Sequence, residues 1–214
     1  FRKLLPFGVK HRPNAECPRC GSLERHRLLW LYLRDRTPFF TAPLKVLDIA
    51  PMPGFQERCK KLKNLDYVSA DIASPVAALQ MDITAMDLPD HQFDVIICYH
   101  VLEHVPDDRK ALRELFRVLK PGGWAILQSP VDSNRDQTFE DRNAVSPEER
   151  LRLFGQEDHV RIYGRDYKDR LQEAGFVLKL DSYVRELTPD TVKRHSIGEN
   201  ELIYFCTKPK PEKD

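Results

Sequence analysis

The residues best placed to do chemistry are carboxylates that end short apolar runs. Val46-Leu-Asp-Ile-Ala-Pro-Met-Pro-Gly54 carries Asp48 near the end of an apolar run, turns through small and rigid residues, and leads into a helix-like segment. That is the layout of a strand–loop–helix nucleotide site, where backbone N–H groups at the helix start hold an anion. Tyr67-Val-Ser-Ala-Asp71 follows as a second short strand ending in an acid. A carboxylate about twenty residues on can accept hydrogen bonds from both hydroxyls of a ribose. Met81-Asp82 comes next and then, past a loop, the run Phe93-Asp-Val-Ile-Ile-Cys-Tyr-His-Val-Leu-Glu-His-Val105.

Histidine and arginine supply the second set of candidates. Phe154-Gly-Gln-Glu-Asp-His-Val-Arg-Ile-Tyr163 places His159 and Arg161 two residues apart, so an extended segment points them the same way. A histidine titrating near neutral pH suits a general base, and an arginine suits an anion clamp. A third cluster, Cys17-Pro-Arg-Cys20-Gly, has the spacing at which two thiolates bind one zinc ion from a tight turn. One pair supplies two of four ligands, so the chain's own residues predict no bound metal, and zinc only if further ligands lie upstream.

These residues need strands and helices to position them. The pattern predicts strands near 45–50, 66–71, 93–98, 123–130, 176–183 and 201–207, with a short one near 80–84. Helices are predicted near 54–63, 107–120, 147–154 and 165–174. Such alternation means right-handed crossovers and a mainly parallel sheet covered on both faces. Ahead of it, Ser22 reads as an N-cap for a helix over Leu23–Arg36 that is apolar on more than one side and is expected to pack on the main domain. No helix is predicted immediately before the last strand.

Taken together, these stretches resemble the class I methyltransferases that use S-adenosylmethionine, over roughly residues 40–208. The most specific parts are Phe93–Val105 and Leu119-Lys-Pro-Gly-Gly-Trp-Ala-Ile-Leu127, the latter similar to the family's helix end, Pro-Gly turn and fifth strand. The resemblance implies an α/β fold with a seven-stranded, Rossmann-like, mostly parallel sheet whose last strand is antiparallel. It divides the chain into an N-terminal extension at 1–40 with the Cys-x-x-Cys turn and a lid helix, a methyltransferase domain at 41–208, and a mobile tail at 209–214. It implies that Asp48 organises the loop for the donor's methionine part, that Asp71 binds the ribose, and that Asp82 meets the adenine amino group. Ile72 and Ile83 are expected beside these acids. Ala50, Pro51 and Gly54 are expected in the donor loop, and Tyr99 and His100 at the methyl-transfer cleft.

His159 and His100 are the catalytic candidates, and Arg161, Tyr163 and His26 the acceptor-binding ones. Glu103 and His104 are read as structure behind the donor. The glycine-rich loop of the family is altered here: Ala50 and Met52 stand at two glycine positions, with Pro51 and Pro53 removing N–H donors. Alanine costs little if its φ stays negative, whereas Met52 places a long side chain near the donor's path. The leading expectation is methyl transfer to an unidentified acceptor by in-line positioning. The alternative is a catalytically inactive, methyltransferase-like binding or scaffold module. A nicotinamide dehydrogenase fits poorly, because no Gly-x-Gly-x-x-Gly occurs.

Composition narrows the classes further. At 214 residues the chain can bury one sizeable core. A net charge of +1, from 34 basic and 33 acidic residues, argues against a large electrostatic footprint for nucleic acid. No apolar run is long enough to span a bilayer, and five cysteines, an odd number with three widely scattered, fit a reducing, cytoplasmic setting.

Overall fold

The computed structural model describes residues 3–8, 11–198 and 200–211. Its elements are β1 (Leu5–Phe7), β2 (Arg12–Glu16), α1 (Glu24–Arg36), β3 (Leu44–Ile49), α2 (Pro53–Cys59), β4 (Leu65–Asp71), β5 (Leu79–Gln80) and β6 (Phe93–Tyr99). They continue as α3 (Asp108–Val118), β7 (Leu119–Gln128), β8 (Phe139–Glu140), α4 (Pro147–Phe154), β9 (Arg161–Ile162), α5 (Tyr167–Glu173), β10 (Val177–Asp181), α6 (Pro189–His195) and β11 (Ile203–Thr207). The chain folds as two units interleaved in sequence. The first comprises Phe1–Lys45, Pro51–Tyr67 and Leu180–Ile203, and the second Val46–Ala50, Val68–Lys179 and Tyr204–Asp214.

Nearly all of the seven-stranded sheet belongs to the second unit. Its order is β10-β11-β7-β6-β3-β4-β5. β3, β6 and β7 run parallel, with Val46 opposite Val95 and Ile97 opposite Ile126, and β4 runs parallel to β5. β11 is antiparallel to β7, with Cys206 opposite Ala125. Strands buried on both faces read as unbroken apolar runs, and Val95, Ile96, Ile97 and Cys98 are all buried. α3 covers one face with Ala111, Leu112, Leu115 and Val118, the spacing of a single helical stripe, and Asp107 caps its start by accepting from the Lys110 N–H. The Pro-Gly segment departs from expectation. The ladder begins at Leu119, before the turn, and spends five residues of β7 against two of β6 between Phe93↔Leu119 and Val95↔Trp124. Gly122 absorbs that bulge at φ +81°.

α1 supplies the first unit's core through Leu28, Leu29, Leu31, Tyr32 and Leu33. Tyr32 donates to Asp181, Tyr183 donates to Asp35, and Trp30 packs its ring on Phe40 and Phe55. The cap expected at Ser22 falls instead at Leu23, whose N–H donates to His26 Nδ1 at 3.1 Å. α6 is a seven-residue helix that the sequence pattern did not predict. No residue of it is buried, so it lacks the apolar stripe that marks longer helices.

Candidate functional site

In open α/β sheets ligands collect outside the carboxyl ends of the strands, where the strand order reverses. Here β3 lies between β4 and β6, and a cavity of about 330 Å³ opens at that point. Its lining includes Ile49 and Ala50 at the end of β3, Asp71 and Ile72 at the end of β4, and Met81, Asp82, Ile83 and Thr84 after β5. Val101 and His104–Asp107, after β6, complete it. The parallel register sets Asp71 beside Gln80, and the Met81 N–H donates to the Asp71 carbonyl, so the two acids share one rim.

Each acid is held by its own loop. Asp71 Oδ1 accepts from the N–H groups of Ala73 at 2.8 Å and Ser74 at 2.7 Å, and Asp82 Oδ1 accepts from Thr84 at 2.7 Å. That is the ordinary turn-capping use of aspartate, but it engages one oxygen and leaves the other available to a ligand. Ile72 is 68% exposed, an apolar side chain left uncovered on the rim of an apolar cavity.

Five of the ten donor positions expected from the sequence therefore line this cavity: Ala50, Asp71, Ile72, Asp82 and Ile83. Asp48 is buried within β3. Tyr99 ends β6 and His100 follows it, neither lining the cavity, and Pro51 and Gly54 belong to the first unit. Two corrections concern the altered loop. Ala50 sits at φ +47°, not at negative φ, so it adopts the left-handed backbone that favours glycine. Met52 folds back so that its Sδ accepts from the Gly54 N–H at 3.2 Å, and it lines a separate cavity within the first unit. Gly54 itself is needed for packing, since a Cβ there would overlap the Cys20 carbonyl oxygen.

The acceptor residues depart furthest from expectation. Arg161 is 2% exposed and donates to the carbonyls of Leu102 at 2.6 Å, Val105 at 2.5 Å and Pro106 at 2.9 Å. Its charge lies among Asp108, Glu140 and Arg170. It clamps the turn after β6 and offers nothing to an external anion. Tyr163 is wholly buried and donates to Asp108 at 2.7 Å, which removes it from acceptor contact. His26 belongs to the first unit and its Nδ1 is taken by the Leu23 N–H. His159 is buried against His104, ring centroids 4.7 Å apart, and does not line the donor cavity. Burial, with the charge of His104, holds its pKa below the usual histidine range.

Glu103 and His104, read as structure behind the donor, form a polar cluster with His100. Glu103 is 1% exposed; Ser129 donates to its Oε2 at 3.0 Å, and His100 Nδ1 lies 3.3 Å from Oε1. Burial works against this carboxylate, but the His100 hydrogen bond and charge outweigh it and hold its pKa below the usual range. His104 completes the cluster and borders the donor cavity. The signal in the sequence was the spacing His100-x-x-Glu103-His104 at a turn, which puts the three side chains on neighbouring positions.

In the Cys17-Pro-Arg-Cys20 turn both thiols are free. Burial disfavours the Cys17 thiolate, yet backbone hydrogen bonds at Arg19 and Cys20 lower its pKa overall. No helix among the described residues is long and apolar enough to cross a membrane.

Comparison with known proteins agrees with this geometry. Residues 33–127 match the family described as a methyltransferase domain. The ubiquinone biosynthesis O-methyltransferase of Pseudomonas syringae pv. tomato is 34% identical over 101 residues, 40% of this chain and 44% of that protein. The ubiquinone/menaquinone biosynthesis C-methyltransferase of Pasteurella multocida is 44% identical over 68 residues, 32% of this chain and 24% of that protein. The chain thus spans less than half the length of these curated relatives. Among solved structures, an S-adenosylmethionine-dependent methyltransferase from Mesorhizobium loti superposes with a TM-score of 0.58 at 16% identity, covering 83% of this chain and 96% of that one. The [4+2]-cyclase SpnF superposes with a TM-score of 0.56 at 16% identity, covering 86% and 80%. At such identities the structural likeness speaks for the fold alone. Sheet order, the acids at the ends of its strands and the matched domain make the chain similar to the class I S-adenosylmethionine-dependent methyltransferases, with the family match confined to residues 33–127.

Proposed function

We propose that the chain binds S-adenosylmethionine in the cavity between Ala50, Asp71 and Asp82 and transfers its methyl group to an oxygen acceptor. The observation that carries this reading is the pair of half-engaged aspartates on one rim of an apolar cavity. Asp71 would accept the ribose hydroxyls through its remaining oxygen, and Asp82 would accept from the adenine amino group. Ile72 and Ile83 would cover the two faces of the base, which accounts for an isoleucine left exposed on the rim. The donor supplies an electrophilic sulfonium methyl, so the protein's task is mainly alignment. The turn after β6, fixed by Arg161, would form the wall beside the methyl group. Oxygen is favoured as the nucleophile by the O-methyltransferase relatives, whose match covers 40% of this chain.

The test is turnover of isotopically labelled donor with hydroxyl-bearing aromatic acceptors. Label should appear in the acceptor with the wild-type chain and not with Asp71→Ala. A second reading, a methyltransferase-like binding or scaffold module that does not transfer the methyl group, has one specific support. The fold neighbour SpnF is named for a cyclisation and not for methyl transfer, so the fold does not fix the reaction. Donor binding without transfer to any hydroxyl, thiol or amine acceptor would favour it.

A further inference from the structure

Glu103, His104 and His159 each present one ligand atom, and these three atoms lie within 4.8 Å of one another. We propose that they bind a divalent first-row transition-metal ion at the edge of the donor cavity. Metal–ligand bonds of about 2.0–2.2 Å need donors roughly 3–3.5 Å apart, so side-chain rotations that bring the atoms closer by up to about 1.3–1.8 Å would close the set. Two imidazole nitrogens and one carboxylate oxygen suit such an ion and leave positions open for an outside ligand.

Three features of the cluster fit a built site. His104 Nδ1 faces Asp158 Oδ2 at 3.2 Å while its Nε2 faces Glu103 Oε1, the outer-carboxylate arrangement that fixes a ligating tautomer. Glu103 is buried with imidazoles and a serine hydroxyl around it, and a buried carboxylate is costly unless a positive charge compensates it. His100 stands at φ +59°, a backbone conformation that side chains rarely adopt, and its Nε2 is buried with no hydrogen-bond partner. Strained backbone clusters at functional sites, and this residue contacts Glu103 of the proposed set. His159 becomes a ligand here in place of the general base read from the sequence.

His104 borders the donor cavity, so an ion held by it would sit beside that cavity. Resting on the methyl-transfer reading, the ion would lower the pKa of an acceptor hydroxyl. The hydroxyl proton leaves to solvent, its oxygen forms the bond to the methyl carbon, and the carbon–sulfur bond breaks with its electrons remaining on sulfur.

Cobalt(II) titration of the full chain, followed by visible absorption with no donor or acceptor present, tests the site. One ion should bind per chain, with d–d bands and no thiolate charge-transfer band. His104→Ala and His159→Ala should each weaken binding by more than about tenfold, the loss that even an outer-shell partner produces. The Cys17→Ser, Cys20→Ser double variant should bind as the parent does. Absence of binding, binding that survives both histidine variants, or a thiolate band lost with the cysteines would overturn the proposal. The spectrum of the parent chain decides the ligand type even if a variant misfolds. S-adenosylmethionine binding by the same samples separates failure of the metal site from failure of the methyltransferase reading.

Discussion

Replacing Arg161 by methionine keeps the apolar stem of the side chain and deletes its fork of donors. In the folded chain those donors hold the carbonyls of Leu102, Val105 and Pro106, and the guanidinium neutralises part of the charge of Asp108 and Glu140. The Leu102 carbonyl keeps the Tyr163 hydroxyl and the Val105 N–H as donors, while the part-buried carbonyls of Val105 and Pro106 lose the guanidinium. A buried carbonyl without a donor costs about 1–3 kcal/mol, and breaking a buried ion pair from one side costs about 3–5 kcal/mol. These terms overlap, so a loss of about 3–5 kcal/mol is expected against a typical total of about 5–15 kcal/mol. Urea unfolding followed by circular dichroism should show the midpoint falling with little change in slope. An acceptor clamp on the surface would behave otherwise, with a change within about 0.5 kcal/mol. A measured loss below about 1 kcal/mol would refute the structural role of Arg161. Because the clamped turn also lines the donor cavity, donor affinity should fall in the same variant.

Three further outcomes follow from local geometry. Ala50→Gly should raise stability by about 0.5–1 kcal/mol: relief of the left-handed backbone exceeds the added chain entropy, and the alanine methyl is exposed; a lower unfolding midpoint would contradict this. Gly54→Ala should lower stability by about 1–3 kcal/mol because the added Cβ meets the Cys20 backbone; an unchanged melting temperature together with lost donor binding would instead assign this glycine to the donor. The pKa of His195 is lowered by burial and then by Arg194, Arg27 and Arg34. Its unfolded form therefore takes up protons first, so its contribution is complete above about pH 6.5 and is lost as pH falls below that value. His195→Gln should lose less stability than the parent between about pH 7.5 and pH 5.5 by thermal unfolding; an equal loss would remove His195 as the source.

The sheet was legible in the sequence because strands buried on both faces leave unbroken apolar runs, as in Val95–Cys98, and helices such as α3 leave an apolar stripe. β8 and β9 were not, since two residues each carry no period. α6 was missed for want of an apolar face, although Thr188 and Pro189 are a legitimate cap and first-turn pair. The donor acids could be read because each ends a strand, and strand ends fix position. The acceptor residues could not, because an arginine and a tyrosine in a polar stretch look alike whether they face solvent or a buried network. Arg161 and Tyr163 are buried by Asp108, Glu140 and Arg170, contacts made across many residues that no local pattern reports. The backbone sign at Ala50 was hidden for the same reason, since the turn geometry is set by the Ala50 N–H donating to the Ala70 carbonyl across the strands.

The most direct measurement is calorimetric titration of S-adenosylmethionine into the parent chain and Asp71→Ala, with thermal unfolding of both free proteins. The parent should bind one donor per chain at micromolar concentration. Asp71→Ala should lose about 1.5–3 kcal/mol or more of binding free energy, the value of a hydrogen bond to a charged group, while melting close to the parent. Equal donor affinity in the two proteins, or no binding by the parent, would contradict a donor site between Asp71 and Asp82.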